Sequence, residues 1–206
     1  MDEYIAWAMP ERDPILTRLE TEAQEQGVPI IGPLTGSLMQ LLARLAQPQL
    51  IVELGTATGY SGIWLLRSWS GARLISFEID PSRAAAARFN FAAAGLTERS
   101  EVLVENAIEG LARLPAQSAG IVFNDVLNGL RNEDRVDECF RLALSVLKPD
   151  GLLLADNALG VGGDPRRESN QARCVRRWNE LVKGESSLTS MILRVGDGIS
   201  IAIRSR

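Results

Sequence analysis

The spacing of apolar residues switches between helical and strand-like periods along the chain. Asp13 and Pro14 carry helix-start chemistry and Gly27 a helix stop, so a first helix is predicted between them. A second helix is predicted over 36–46. From there strands are predicted at 50–54, 73–79, 101–104, 120–124 and 151–155, alternating with helices at 61–69, 81–94, 107–114 and 133–147.

The order of these elements predicts the fold class. Strands that alternate with helices are typical of a parallel sheet with crossover helices on both faces. The turn to the last of these strands is expected at Asp150 and Gly151. Two further strand-like runs, 187–195 and 199–204, flank Gly196-Asp197-Gly198 and predict a hairpin instead of a crossover. We therefore expect an α/β fold with a mostly parallel, seven-stranded sheet that one antiparallel strand finishes.

Composition is consistent with one compact domain. The chain has 206 residues, of which 46% are hydrophobic and 23% charged. We expect a single domain, with accessory helices in 1–47 and the α/β core in 48–206. A net charge of −4 gives no general reason to expect nucleic acid, and no apolar stretch approaches the ~20 residues of a membrane span. Two cysteines and no leader-like segment indicate the cytoplasm.

The first predicted strand leads into a glycine turn that suits a nucleotide-type cofactor. The run from Ile51 to Ser61 reads IVELGTATGYS, an apolar strand ending near Glu53 and turning through Gly55 and Gly59. Glycines allow the backbone to approach a ligand closely, and the helix that follows presents free N–H groups. The next strand ends at Glu78, where a carboxylate could accept the hydroxyls of a ribose.

Polar side chains lie at or just after the ends of most predicted strands. In a doubly wound sheet, ligands bind beyond the carboxyl ends of the strands. Each of these residues also has a structural interpretation as a helix cap or turn former, which is as good as the functional one for Asp80 and Asn106. Burial of Glu53 without a partner would be costly, so we expect it to reach a ligand or an amide of the turn. The strand-end residues are Glu53, Glu78, Asn106, Asp125, Asp156 and Asn157.

Three of these residues have the chemistry of a cation site. Asp125, Asp156 and Asn157 offer two carboxylates and an amide oxygen, which are hard ligands suited to Mg²⁺. The alternative is that the two acids cap neighbouring helices. Sequence spacing does not decide between the two interpretations.

An ordered set of motifs covers nearly the whole chain and resembles a known family. The segments are VELGTATGYS, FEIDPSRAAAARFNFAAAGL, FNDVLN, LKPDGLLLADNALGVGG and VGDGISIAI. Together they resemble the S-adenosylmethionine-dependent O-methyltransferases of the catechol and caffeoyl-CoA type. The resemblance implies a Rossmann-like class I methyltransferase fold and transfer of a methyl group to a small hydroxylated aromatic acceptor. It also implies a homodimer, to which Trp7 could contribute.

The resemblance assigns roles to particular positions. Asp125, Asp156 and Asn157 match the positions that bind a divalent ion, Mg²⁺ above all, which chelates two vicinal oxygens of the acceptor. Glu78 would hold the ribose. The positions that match contacts to S-adenosylmethionine are Ile31, Glu53, Gly55, Thr56, Ser61, Glu78, Ala107 and Asp125.

The chain departs from this family at the position of a catalytic lysine. Where relatives carry the lysine that acts on the accepting hydroxyl, this chain has Asn128, whose amide cannot take a proton at neutral pH. The chain has no histidine, and Lys148 and Lys183 are expected to be surface charges. The acceptor could be ionised by the metal, which we prefer, or another base such as Asp164 or Glu168 could act. A cofactor-binding regulatory protein without transfer activity is the third possibility.

Two further segments bear on the acceptor. Residues 159–165 combine glycines with an apolar wall and are typical of a loop that closes over a substrate, although an exposed connector is nearly as good an interpretation. Arg166, Arg167, Arg173, Arg176 and Arg177 form a basic cluster. We interpret the cluster as a solvated helix face, and it is also the one support for an alternative function, methylation of a hydroxylated nucleobase in transfer RNA.

Overall fold

The order of secondary-structure elements agrees closely with the expected alternation. A computed structural model describes residues 4, 7–9, 13–160, 166 and 168–206. The helices are α1 (Pro14–Gln26), α2 (Pro33–Ala46), α3 (Tyr60–Ser68), α4 (Pro81–Ala93), α5 (Ala107–Arg113), α6 (Glu133–Val146) and α7 (Asn170–Gly184), with 3₁₀ turns at Thr97–Arg99 and Leu127–Gly129. The strands are β1 (Leu50–Leu54), β2 (Arg73–Glu78), β3 (Ser100–Val104), β4 (Ala119–Asn124), β5 (Leu147–Ala155), β6 (Leu188–Leu193) and β7 (Ile199–Arg204).

The seven strands form one sheet in the order β3-β2-β1-β4-β5-β7-β6. Strands β1 to β5 pair in parallel, whereas β7 runs antiparallel to both β5 and β6. The predicted hairpin and its antiparallel strand are therefore confirmed. The antiparallel strand does not finish the sheet, however, because β6 lies outside it at the edge.

Two predicted boundaries were wrong. Helix α2 starts three residues before the predicted position 36, because Gly32 has an extended backbone at the N-cap and Pro33 occupies the first helical position. Strand β5 begins at Leu147, so the expected turn at Asp150 and Gly151 lies within the strand. Asp150 has a φ of 61° there, and the register between β4 and β5 shifts near Ala119. Asp150 and Gly151 therefore form an irregularity within the strand.

Apolar side chains form one core on each face of the sheet. Alternate residues of β1 point to opposite faces, so Ile51 belongs to a cluster with helices α1 to α4, and Val52 to a cluster with helices α5 to α7. Trp178 of α7 is fully buried and packs edge-on against Phe140 of α6. Helices thus cover both faces of the sheet, as expected. None of the helices in the described part of the chain has the length and apolar character that a bilayer crossing requires.

Candidate functional site

A cavity of about 960 Å³ opens where the parallel strands end. Its wall includes the residues that directly follow or end four neighbouring strands: Gly55 after β1, Glu78 on β2, Asp125 after β4 and Asp156 after β5. Ligands of doubly wound sheets bind at this edge. The cavity is large enough for a drug-sized ligand.

The glycine turn after β1 brings backbone to the cavity wall. Gly55 has a φ of 92°, and a Cβ atom there would lie 3.0 Å from Cγ1 of Val126 and 3.2 Å from the carbonyl oxygen of Asp125. Only glycine combines that conformation with so close an approach. Gly59, with a φ of 86°, begins helix α3. The two glycines thus fold the turn tightly and leave Gly55 and Ala57 facing the cavity.

Glu53 lies beneath this turn, with partners different from those expected. Its carboxylate is fully buried and accepts hydrogen bonds from the hydroxyls of Ser61 and Ser76, each at 2.5 Å. The Oγ1 atom of Thr56 lies 2.5 Å from Oγ of Ser76 and completes the network. Burial raises the pKa of Glu53 to about 7 despite these hydrogen bonds, and the charge of Glu78 adds to the rise.

This network supports the turn from below. Glu53, Thr56 and Ser61 are not among the residues that line the cavity, so direct contact of their side chains with a cofactor stays a prediction. Ile31, Gly55, Glu78, Ala107 and Asp125, the other predicted cofactor positions, all line it.

The carboxylate of Glu78 is held in place by two backbone amides. The N–H of Ala57 donates to Oε2 at 2.9 Å, and the N–H of Asp80 donates to Oε1 at 3.0 Å. Each oxygen keeps a further lone pair for a ligand. Asp80 itself caps helix α4, which confirms its structural interpretation. Asn106 caps helix α5 through the N–H of Ile108, which confirms its structural interpretation; it also lines the cavity, and contact with a ligand stays a prediction.

Asp125, Asp156 and Asn157 meet at the end of the paired strands β4 and β5. The N–H of Asp125 donates to the carbonyl of Leu54 at 2.9 Å, and the N–H of Asp156 donates to the carbonyl of Asn124 at 3.0 Å. Asn157 follows in the left-handed region with a φ of 60°, which asparagine tolerates better than most residues. All three residues line the cavity, so the structure brings the predicted cation ligands together.

The two carboxylates of this group are electrostatically strained. Burial raises the pKa of Asp125 well above its usual range, and the charges of Asp156 and Glu53 raise it further. Burial also raises the pKa of Asp156 to about 6, with a further contribution from Asp197, although a backbone hydrogen bond at Asn157 opposes the shift. Across the described ranges, no arginine or lysine forms an ion pair with either carboxylate. A cation bound between them would relieve the repulsion.

Asp125, Asp156 and Asn157 offer oxygen donors of two types, carboxylate and amide. The described residues contain no cluster of three or more histidine, cysteine, aspartate or glutamate side chains that could hold a metal ion. A cation site here would therefore depend on the amide oxygen of Asn157 beside two carboxylates. That donor set fits a hard ion such as Mg²⁺ and does not fit a zinc site.

Asn128 contacts this group directly. Its Nδ2 donates to Oδ1 of Asn157 at 2.5 Å, and its own Oδ1 is shielded from solvent with no hydrogen-bond partner in the described part of the chain. Lys148 and Lys183 do not line the cavity, and Glu168 is exposed and does not line it either. Asp164, the other candidate base, lies outside the described residues. No described lysine thus takes the place of the missing one.

Several residues that line the cavity were not predicted. Pro29, Ile30, Gly32 and Thr35 contribute one wall beside the predicted Ile31, and Asp197 contributes from the turn of the hairpin. Three arginines also take part: Arg83, Arg131 and Arg135. In the sequence, the only indication that Arg131 lies at the site is its position three residues after Asn128. The chain before α2 and the hairpin turn are distant in sequence from the strand ends, so only the folded chain brings them to the site.

The basic cluster contributes mainly to contacts between helices α7 and α6. Arg177 of α7 makes two hydrogen bonds to the carboxylate of Asp137 on α6, at 2.6 and 2.9 Å, and lowers the pKa of Asp137. Arg173 approaches Glu133 on the same helix at 3.9 Å. This arrangement favours the helix-face interpretation. Arg167 and most of the predicted substrate loop, residues 161–165, lie outside the described residues.

Comparisons with known proteins show which family this chain is similar to. Residues 52–158 match a methyltransferase domain family. A relative from Niastella koreensis, named catechol O-methyltransferase, is 33% identical over 98% of this chain and 96% of its own length.

Two solved structures have the same fold and were determined with the cofactor or its product. An O-methyltransferase from Bacillus cereus, in complex with S-adenosylhomocysteine, is 26% identical with a TM-score of 0.83, over 99% of this chain and 96% of that one. An O-methyltransferase of tomaymycin synthesis from Streptomyces achromogenes, in complex with S-adenosylmethionine, is 29% identical with a TM-score of 0.83, over 100% and 96%. This chain belongs to the S-adenosylmethionine-dependent O-methyltransferases, with the Rossmann-like fold of that family.

Proposed function

We propose that this enzyme transfers a methyl group from S-adenosylmethionine to one hydroxyl of a catechol-like acceptor, assisted by a divalent cation at Asp125, Asp156 and Asn157. The observation that carries the proposal is the meeting of two carboxylates and an amide oxygen on the cavity wall, with no described cationic side chain paired to them. The name of the Niastella koreensis relative supports the acceptor class.

The residues of the cavity divide between cofactor and acceptor. Glu78, fixed by two amides, is placed to accept the ribose hydroxyls, and the turn at Gly55 offers backbone beside it. Asp125, Asp156 and Asn157 would hold the cation on the acceptor side. When bound, a divalent cation lowers the pKa of a hydroxyl and fixes the position of its oxygen.

Asn128 acts in this proposal by positioning, because its amide cannot take a proton at neutral pH. Its hydrogen bond holds the side-chain oxygen of Asn157 in one orientation. Partners that orient a ligand in this way commonly change metal affinity by about 10–100-fold when they are removed. Methyl transfer is a direct displacement that depends largely on how well its two reactants are positioned. A hydroxyl whose pKa is lowered by the cation would lose its proton to solvent without a lysine base.

Cation binding tests the proposed site without depending on turnover. Mn²⁺ titrated into protein saturated with S-adenosylhomocysteine should bind at one site, and Asp156→Asn should weaken that binding by about tenfold or more, since a charged ligand is lost. Glu105→Gln is the matched control, because Glu105 lines the same cavity after β3, three strands away from β4, and is paired with Arg113. A change below about threefold is expected there. Equal Mn²⁺ affinity in wild type and Asp156→Asn would refute the site.

A further inference from the structure

One wall of the cavity is a single stretch of chain that begins at Asn128. Gly129, Leu130, Arg131 and Asn132 follow it along the wall, and Arg135 adds to it from the first turn of α6. Because Asn128 is hydrogen-bonded to Asn157, this stretch lies on the side of the cavity assigned above to the acceptor. The opposite end, near Glu78, is lined by the third arginine, Arg83.

The backbone on both sides of Arg131 is anchored. The N–H of Leu130 donates to the carbonyl of Val126 at 3.2 Å, and the carbonyl of Leu130 accepts from the thiol of Cys174 at 3.4 Å. On the other side, Asn132 caps helix α6 by accepting from the N–H of Arg135 at 2.9 Å. The position of Arg131 on the wall is thus fixed, while its side chain is exposed.

The two arginines of this wall differ in their partners. Arg135 pairs with Glu138 on the next turn of α6 at 2.6 Å. Arg131 has no hydrogen-bond or ion-pair partner for its guanidinium within the described residues. A guanidinium matches a carboxylate with two parallel hydrogen bonds in a fixed planar geometry.

We propose that Arg131 binds a carboxylate carried by the acceptor, so that the preferred substrates are catechols bearing an acidic side group. The inference rests on the proposed function and deepens it. A single negative charge suits this wall better than a phosphate dianion, because the wall offers one unpaired guanidinium and the cavity is also lined by Asp125 and Asp156. The bound carboxylate would orient the aromatic ring of the acceptor. The two hydroxyls of the ring would then face Asp125 and Asp156.

Matched pairs of acceptors isolate the effect of the charge. The acids 3,4-dihydroxybenzoate and 3,4-dihydroxycinnamate place a carboxylate at two distances from the ring, and their primary amides have the same shape without the charge. Wild-type enzyme should prefer at least one acid over its amide by about tenfold in kcat/KM, because a hydrogen bond to a charged group is stronger than a neutral one. Dissociation constants measured with S-adenosylhomocysteine bound should show the same preference.

Variants at Arg131 show whether this residue provides the preference. Arg131→Gln should raise KM for the preferred acid about tenfold, leave kcat near the wild-type value and leave both amides unaffected, because the contact is made equally in the ground and transition states. Arg131→Lys should keep part of the preference. Arg141→Gln, at an exposed position of α6 outside the cavity, removes the same charge and should change nothing.

Two outcomes would overturn the inference, and they separate it from the proposed function. If wild type and Arg131→Gln bind and methylate both acids as well as their amides, the carboxylate site is refuted while catechol methylation stands. If neither acid nor amide is bound or methylated by any variant, the acceptor class proposed above is refuted along with it.

Discussion

Among single residues, Glu53 has surroundings that are unfavourable for its charge. It is fully buried, and its pKa rises from its ordinary 4.5 to about 7. Between these two values the folded protein binds more protons than the unfolded chain, so the free energy of unfolding falls as the pH rises. Glu53 therefore destabilises the folded protein above neutral pH.

Replacing Glu53 should remove this pH dependence. Relative to Glu53→Gln, wild type should lose about 3 kcal/mol of unfolding free energy between pH 4.5 and pH 8, at about 1.4 kcal/mol per unit of pKa shift. Urea unfolding of both proteins at the two pH values measures the difference. The exposed Glu98→Gln is the control and should run parallel to wild type. Parallel behaviour of Glu53→Gln would contradict the raised pKa.

The sequence identified the polar residues at the strand ends better than it identified their partners. Asp125, Asp156 and Asn157 were predicted to share a site, and the structure places them on one cavity wall. The serine hydroxyls that hold Glu53 were not predicted, because Ser76 lies on β2 and meets Glu53 only through the register of the paired strands. Arg131 was not predicted because it does not directly follow a strand.

At the scale of elements, helix α2 packs closely on helix α3 through a glycine. A Cβ atom on Gly36 would lie 2.5–2.7 Å from the indole ring of Trp64, whose side chain is buried. Large rings and glycines fit together in this way at close helix crossings, since the missing side chain leaves space for the ring.

Gly36→Ala should therefore destabilise the protein although alanine favours a helix. We expect a loss of about 1–3 kcal/mol from overpacking against Trp64. Gly184→Ala, at the end of α7 where an added Cβ meets nothing within 4 Å, is the control and should be neutral or slightly stabilising. Chemical denaturation of both variants measures this. A stability for Gly36→Ala equal to that of Gly184→Ala would refute the close packing.

Most helices and strands could be predicted from the spacing of their apolar residues and from their capping residues. Asp13 and Gly27 bound α1 as expected, since the carboxylate of Asp13 accepts from the N–H groups of Ile15 and Leu16 and Gly27 has a φ of 65°. The errors came where tertiary pairing overrides local signals. At Asp150 and Gly151 the turn chemistry is real, yet pairing with β4 keeps the backbone within a strand.

For the whole molecule, the outer face of α2 carries exposed apolar side chains that suit a homodimer, the assembly expected from the family resemblance. Leu41 is 62% exposed and Leu45, one turn along the helix, is 83% exposed, while Trp7 is 76% exposed. Exposed apolar groups on one helix face are typical of association sites.

Charges placed on this face should disrupt a dimer that forms through it. Leu41→Glu combined with Leu45→Glu is expected to give a monomer in light scattering coupled to size-exclusion chromatography, while wild type elutes as a dimer. Phe89→Glu, at another exposed apolar position on α4, is the control and should leave the dimer intact. A monomeric wild type, or a double variant that stays dimeric, would contradict this interface.

The order of motifs along the chain predicted the overall arrangement of strands and site, because the carboxyl ends of parallel strands lie at the same edge of a sheet. The extent of the cavity could not be predicted in the same way. Its walls at Pro29 to Gly32 and at Asp197 come from distant parts of the chain, and only the closed fold brings them to the same cavity as Asp156.

The proposed enzyme methylates a catechol hydroxyl with the help of a divalent cation. The decisive measurement is the amount of methylated catechol formed from S-adenosylmethionine, with Mg²⁺ and with a chelator, under otherwise identical conditions. We expect methylated catechol with Mg²⁺ and a loss of at least about 100-fold with the chelator. Equal product in the two reactions, or none in either while the cofactor remains bound, would contradict the claim.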